Sequence, residues 1–260
     1  MASVRDYYCA PDLYDVIYSD ISDDAAFWVG CARAAAGPVL ELACGNGRLL
    51  VPCAAAGADI EGLDLTPAMV ESLRGKLAAQ RLRAAVAVGD MRDFTRPRRY
   101  ALIFIAFNSF LHNLTQEDQL ATLRGCRQHL APGGRLMISV FHPDARKLIE
   151  HDGTPRVIKT LPQPGGGSAK VTDRGRCDPI AQLVQVARQV EMRDVRGGVT
   201  ETHEMSFELR YVYLPEMELL LTLAGFSRFA VEARTGYTAG FAPKAALENG
   251  DPVVWTAWKD

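Results

Sequence analysis

Val39-Leu40-Glu41-Leu42-Ala43-Cys44-Gly45-Asn46-Gly47 decides how the rest of this chain is read. Val39, Leu40 and Leu42 have the apolar character of a buried parallel strand. The run ends on Gly45 and Gly47, and the helix-compatible Arg48-Leu49-Leu50-Val51 follows. Strand, glycine turn and helix start make the first half of a nucleotide-binding βα unit. The glycines allow a sharp turn and a close approach of backbone to ligand.

Downstream, Asp59-Ile60-Glu61-Gly62-Leu63-Asp64 reads as a second strand, and Thr66-Pro67 opens a helix with a capping hydroxyl and proline at its first position. Asp64 lies 19 residues beyond Gly45. That spacing places a carboxylate at the tip of the second strand, within reach of a ribose diol. Ala84 to Val88 is a third short strand ending in Gly89-Asp90-Met91, and Ala101 to Ala106 is an apolar fourth. Thr115 to His129 is a helix opening Thr-x-x-Asp, close to a capping box. Ala131-Pro132-Gly133-Gly134 stops it before a fifth strand, Arg135 to Phe141. This alternation predicts a mainly parallel sheet with helices on both faces.

On the N-terminal side, Tyr14 and Tyr18 stand four apart and share one face of a helix. From the residues alone they are either an aromatic stripe on the core or a flap over the ligand. Asp23 or Asp24 is placed to cap a second helix over 25–36, which Gly37-Pro38 ends. On the C-terminal side the alternation stops. Residues 143–175 are rich in Gly, Pro and charge, with Gly165-Gly166-Gly167 the expected mobile loop. Val184 to Arg193 and Thr200 to Tyr213 alternate around Gly197-Gly198 as a hairpin. A helix from Pro215 to Ala224, closed by Gly225, and strands at 228–234 and 252–258 complete the chain.

With 260 residues, 48% apolar and 23% charged, the chain has the composition of a single α/β domain. A net charge of −2 disfavours nucleic acid as a partner. The arginines between Arg92 and Arg99 are interleaved with Asp93 and follow Asp90, as in a solvated turn. The six cysteines show no C-x-x-C spacing, the pattern of reduced thiols, and no metal cluster is expected. Arg5, Asp6 and Asp12 argue against a signal peptide, and no run approaches the ~18 apolar residues of a membrane span. The expectation is a cytoplasmic protein without a membrane partner.

A dinucleotide turn needs a third glycine, where this chain has Leu50, and there is no phosphate-cradling G-x-x-x-x-G-K-[ST]. An acid at Glu41, with no cation in the motif before Arg48, suits a cationic or zwitterionic ligand better than pyrophosphate. Here the sequence resembles the class I S-adenosylmethionine-dependent methyltransferases. The resemblance rests on Glu41-Leu42-Ala43-Cys44-Gly45-Asn46-Gly47, Gly62-Leu63-Asp64-Leu65-Thr66-Pro67, Gly89-Asp90-Met91-Arg92-Asp93-Phe94 and Leu130-Ala131-Pro132-Gly133-Gly134-Arg135-Leu136, in order over about residues 38 to 142.

The resemblance implies a Rossmann-like, seven-stranded, mostly parallel sheet with a final antiparallel strand. It divides the chain into an N-terminal helical lid (1–37), an S-adenosylmethionine-binding α/β core (38–142 and 214–260) and an antiparallel β insertion over the pocket (143–213). It implies that Ala43, Gly45 and Gly47 border the methionine part of the cofactor, with Glu41 orienting the loop and Arg48 beside it. Asp64 would hold the ribose with Leu65 on the adenine face, Asp90 would accept the adenine amino group beside Met91, and Phe107 would line the cavity near the methyl acceptor. Small-molecule members close the site with Tyr-Asp-x-x-Tyr on an N-terminal helix, so Tyr14 and Tyr18 read as that lid, Tyr18 also reaching the cofactor.

Methyl transfer from a sulfonium is an in-line displacement that depends on alignment and exclusion of water. His112 and His142, beyond strands four and five, are the candidates to take up a proton, and Asn108 is a polar positioner. Phe107-Asn108-Ser109-Phe110 is not the Asn-Pro-Pro-Tyr type motif of nucleobase or amide methylation, and paired metal-ligating acids are not seen there. What remains is a small-molecule acceptor, foremost an amine nitrogen of a specialised metabolite, as in antibiotic biosynthesis. The alternatives are an O-methyltransferase acting on a hydroxyl or carboxyl and a non-catalytic S-adenosylmethionine-binding regulator. The β insertion offers a contact for a homo-oligomer.

Overall fold

In the computed structural model, which describes residues 8–21, 24–234, 241–243 and 252–260, the first strand is buried at every position: β1 (Val39–Leu42) lies inside a sheet between β2 (Ile60–Asp64) and β4 (Tyr100–Ile105). Val39 pairs in parallel with Ile60 on one side and Leu102 on the other. β3 (Ala85–Val88) continues the sheet beyond β2, and β5 (Leu130–Phe141) beyond β4, all parallel. β12 (Pro252–Trp258) then runs antiparallel between β5 and β10 (Arg228–Arg234). These are the seven expected strands. A three-residue strand, β11 (Phe241–Pro243), adds an eighth at the edge of β10.

Alternate residues of β1 and β4 feed two cores, one on each face of the sheet, as strand geometry requires. Leu40, Leu42, Ile103 and Ile105 pack with α5 (Gln116–His129) and α7 (Leu214–Leu223). Val39, Leu102 and Phe104 pack on the opposite side with α2 (Ala25–Arg33), α3 (Leu50–Ala55) and α4 (Pro67–Ala79), where Trp28 stacks on Phe104 with ring centroids 4.8 Å apart. Crossovers leave β1 and β4 toward opposite edges, so a crevice opens at their carboxyl ends.

The insertion is the expected antiparallel β unit, a four-stranded meander of β6 (Asp152–Pro162), β7 (Ser168–Asp178), β8 (Leu183–Arg193) and β9 (Val199–Arg210). It departs from expectation in its first half, where β6 and β7 make most of residues 143–175 strand. Gly165, Gly166 and Gly167, at φ 87° to 91°, lie between two paired strands. The strand signal is weak because β6 is an edge strand, exposed along most of its length, so its polar residues do not alternate cleanly. A short helix, α6 (Ala145–Ile149), precedes the meander, and α1 (Pro11–Ile17) packs Leu13 and Ile17 against its Leu161, Ala169, Val171 and Val190.

Three terminal details also differ. Asp24 precedes α2 without capping it, because Arg48 takes its carboxylate; Asp23 lies outside the described residues. The Thr66 hydroxyl does not cap α4, although Pro67 opens that helix as expected, whereas Thr115 does cap α5 by accepting from the Asp118 N–H. β5 begins at Leu130 rather than Arg135, since Gly133 and Gly134 exchange backbone bonds with Lys259.

Candidate active site

Five residues in two turns carry left-handed backbone: Ala43 (φ 55°), Gly45 (52°) and Gly47 (90°) after β1, and Phe107 (55°) and Asn108 (63°) after β4. Such φ values are costly for residues other than glycine and concentrate where a site demands them. The two turns border a cavity of about 490 Å³ at the switch point of the sheet. Ala43, Gly45, Asp64, Leu65, Asp90, Met91 and Phe107 line it, bringing together most of the residues expected to meet the cofactor.

Asp64 is buried and works locally: Oδ2 accepts from the Gly45 N–H at 2.7 Å and Oδ1 from the Thr66 N–H at 2.9 Å. Burial pushes its carboxyl up, and the two backbone bonds oppose that rise. Asp90 is held by Arg92, whose Nη2 donates to Oδ2 at 2.6 Å while Nη1 reaches Asp118 at 3.2 Å. Met91 Sδ accepts from Asn113 Nδ2 at 3.6 Å.

Glu41 and Arg48 do not reach the large cavity; they line an adjoining recess of about 30 Å³ together with Tyr14, Ala43 and Phe107. Burial drives the Glu41 carboxyl well up, against the nearby Arg48 charge, and its Oε2 is buried without a hydrogen-bond partner among the described residues. Arg48 forms a two-pronged pair with Asp24, and its guanidinium lies 4.6 Å from the centre of the Phe107 ring. Gly47 lines neither space. A Cβ there would stand 2.3 Å from Leu73 Cδ1, so this glycine serves the packing of turn on helix.

Over the crevice, Tyr14 of α1 and Tyr18 just after it meet with centroids 4.6 Å apart and planes tilted by 52°, and Tyr18 meets Phe107 edge-on at 5.2 Å. Tyr14 lines the cavity; Tyr18 does not, and its hydroxyl accepts from Arg188 Nη1 at 2.9 Å. His112 lines the cavity. Its Nδ1 faces the Glu208 carbonyl at 3.1 Å, which can only accept, so Nδ1 carries the proton and Nε2 accepts from the Tyr8 hydroxyl at 3.0 Å. Burial lowers the His112 pKa to about 4, leaving the ring neutral. His142 and Asn108 are not among the cavity residues. Asn108 Oδ1 accepts from the Phe141 N–H at 2.7 Å and so ties the end of β4 to β5.

Tyr8, Arg92, Asn113 and Asp118 line the cavity without having been singled out. The Tyr8–His112 bond spans 104 positions and leaves no local signal. Arg92 stands two residues after Asp90, and that short-range pairing was legible. Among the described residues no cluster of His, Cys, Asp or Glu is placed to hold a metal ion, and no helix is long and apolar enough to cross a membrane.

A doubly wound sheet with a glycine turn, an acid at the tip of β2 and a helix across the crevice defines a nucleotide-cofactor enzyme. Comparison with known proteins narrows this. Residues 39–134 match the family model described as a methyltransferase domain. The dTDP-3-amino-3,6-dideoxy-alpha-D-glucopyranose N,N-dimethyltransferase of Streptomyces fradiae is 31% identical over 226 residues, 83% of each chain. The cypemycin N-terminal methyltransferase of a Streptomyces species is 28% identical over 238 residues, 88% of this chain and 91% of the relative. The crystal structure of Streptomyces venezuelae DesVI shares the fold, with a TM-score of 0.75 at 21% identity over 96% of this chain and 98% of that one. The chain belongs to the S-adenosylmethionine-dependent methyltransferases.

Proposed function

We propose that this enzyme methylates an amine nitrogen of a small specialised metabolite. The cofactor, when bound, supplies an electrophilic methyl group. The site suits it on two counts. Asp64 and Asp90 offer acceptors beside the apolar Leu65 and Met91, as an adenosine requires. The orphaned Glu41 Oε2 beside Arg48 suits the charges of an amino-acid tail. Gly45 and Ala43 would border that tail, with Phe107 at the reacting end.

The choice of nitrogen rests on one observation, the neutral His112 in the cavity wall. A base held near pKa 4 is poorly matched to removing a proton from an alcohol. An amine entering as its free base brings its own lone pair and requires alignment more than deprotonation. Tyr8, Tyr14 and Phe107 supply an aromatic wall for such a group, favourable to any positive charge that develops on nitrogen. The lid helix α1, together with the meander, excludes water. The relatives' names, N-terminal methyltransferase and N,N-dimethyltransferase, support transfer to nitrogen. Isotope-labelled cofactor and a panel of paired amine and hydroxyl acceptors, read by mass spectrometry, test the proposal. The expected product carries one added methyl and keeps a basic nitrogen; a neutral ether or ester product overturns it.

A further inference from the structure

Asp15 stands beside Tyr14 on α1 but faces the cofactor turn instead of the cavity. Its Oδ1 accepts from Asn46 Nδ2 at 2.8 Å, and its Oδ2 accepts from Lys76 Nζ of α4 at 2.6 Å. Asn46 is the residue between Gly45 and Gly47 and is 1% exposed. The same amide nitrogen also donates to the Pro11 carbonyl at 3.3 Å, in the first turn of α1. The Asn46 Oδ1 is buried without a partner among the described residues, which orient the amide through its donors. The central side chain of the cofactor turn is therefore spent on the lid.

The other attachments of α1 and of the turn after it run partly to the crevice, where Arg48 bonds Tyr14 and Phe107 meets Tyr18, and partly to the meander. Leu13 and Ile17 are buried on the meander, Tyr18 accepts from Arg188 of β8, and Asp20 accepts from Lys159 of β6 at 2.6 Å. Within α1 itself the contact with the meander is apolar and not directional, the bonds to Arg188 and Lys159 lying beyond the helix at Tyr18 and Asp20. Hydrogen bonds from a buried amide are directional. Asn46 and Lys76, together with Arg48 at Tyr14, thus set where α1 stands above the turn.

We infer that Asp15 and Asn46 are a pair of positioning residues that couple retention of the cofactor to closure of the acceptor wall. The turn that borders the cofactor and the helix that carries Tyr14 share one carboxylate, so displacing either loosens both. Loss of the pair lowers the fraction of molecules in the closed arrangement, and apparent affinity falls by that fraction. Neither residue lines the large cavity or meets the reacting groups, and Asn46 borders only the small recess beside Glu41, so turnover at saturation is affected less than KM.

The test uses the full chain and follows KM for S-adenosylmethionine, KM for a turned-over acceptor and kcat. D15A is expected to raise both KM values about tenfold with kcat within about threefold of wild type, a split of uniform binding from chemistry. N46D sets two carboxylates face to face and is expected to raise KM further. N46D/D15N restores one hydrogen bond with donor and acceptor exchanged, and is expected to return KM to within about threefold of wild type, the non-additivity that marks a direct pair. Unfolding midpoints of all variants identify any that fold poorly, and D15N, which can still accept from Asn46, is the mildest variant. Unchanged KM values in D15A overturn the coupling, as does failure of N46D/D15N to improve on N46D when both are folded. D64A run alongside separates the causes: normal S-adenosylhomocysteine binding there faults the cofactor site itself, and weakened binding there with unchanged D15A faults only the pair.

Discussion

Gly45 and Gly47 flank a single residue of the same turn, both in left-handed backbone, yet they answer different demands. A Cβ on Gly45 meets nothing within 4 Å and enters the space kept for the ligand. A Cβ on Gly47 collides with Leu73 and, at 2.9 Å, with Val51. G45A therefore carries only the left-handed penalty, about 1–2 kcal/mol. G47A adds overpacking to that penalty and is expected to cost roughly 3–5 kcal/mol in total. Urea unfolding should rank the two in that order, and calorimetry with S-adenosylhomocysteine should reverse it, with G45A folding but binding weakly. Equal losses in both measurements would contradict this division. The turn itself was legible because its glycines stand two apart in sequence and its acid, Asp64, follows at a known interval. Tyr8 was not legible, since only the tertiary fold brings its hydroxyl to His112. Asn108 misled for the opposite reason: a polar residue at a strand end resembles a positioner, while its amide oxygen in fact satisfies the Phe141 N–H.

Among the elements, the central parallel strands β1 and β4 were readable because burial on both faces makes them largely apolar, and β10 and β12 fall where their residues predicted. The meander was only half readable. β8 keeps Val184, Val186 and Val190 on one buried face, whereas β6 presents most of its side chains to solvent. Its attachment to the core depends on a polar group that periodicity does not reveal. Arg210, at the end of β9, donates to Gln119 of α5 at 2.8 Å, to Gln182 at 2.9 Å and to Glu216 of α7 at 2.7 Å. Burial pushes the Glu216 carboxyl up, but hydrogen bonds from Gln116, Gln182 and Arg210 hold it below its ordinary value. Removing Arg210 leaves the half-buried Glu216 with its bonds from Gln116 and Gln182 alone, a loss of about 1–3 kcal/mol. R210M should show that loss in urea unfolding, and R210M/E216L should recover most of it by removing the stranded charge. A loss below about 1 kcal/mol in R210M would show the pair to be worth no more than a surface ion pair.

For the whole molecule, the cavity is a junction: the parallel sheet supplies its floor, and α1, seated on the meander, covers it. A ligand held there by the turn after β1 and the tip of β2 stabilises the folded chain by mass action. At about one hundred times its Kd, S-adenosylhomocysteine is expected to add roughly 2.7 kcal/mol. For a chain of this size that is a rise in Tm of roughly 5–10 °C. Asp64 makes the measurement diagnostic because the proposed function adds a second task to the one the structure shows. Its carboxylate satisfies the Gly45 and Thr66 N–H groups, so D64A lowers the Tm of the ligand-free protein whatever the ligand does. The increment on adding S-adenosylhomocysteine is read against that baseline and reports the proposed second task, holding the ribose. D64A should therefore unfold at lower temperature and also lose most of the ligand-induced rise. A variant with the lower baseline and an undiminished rise would confine Asp64 to shaping the turn, and the ribose would then have to be held by other groups in the cavity wall.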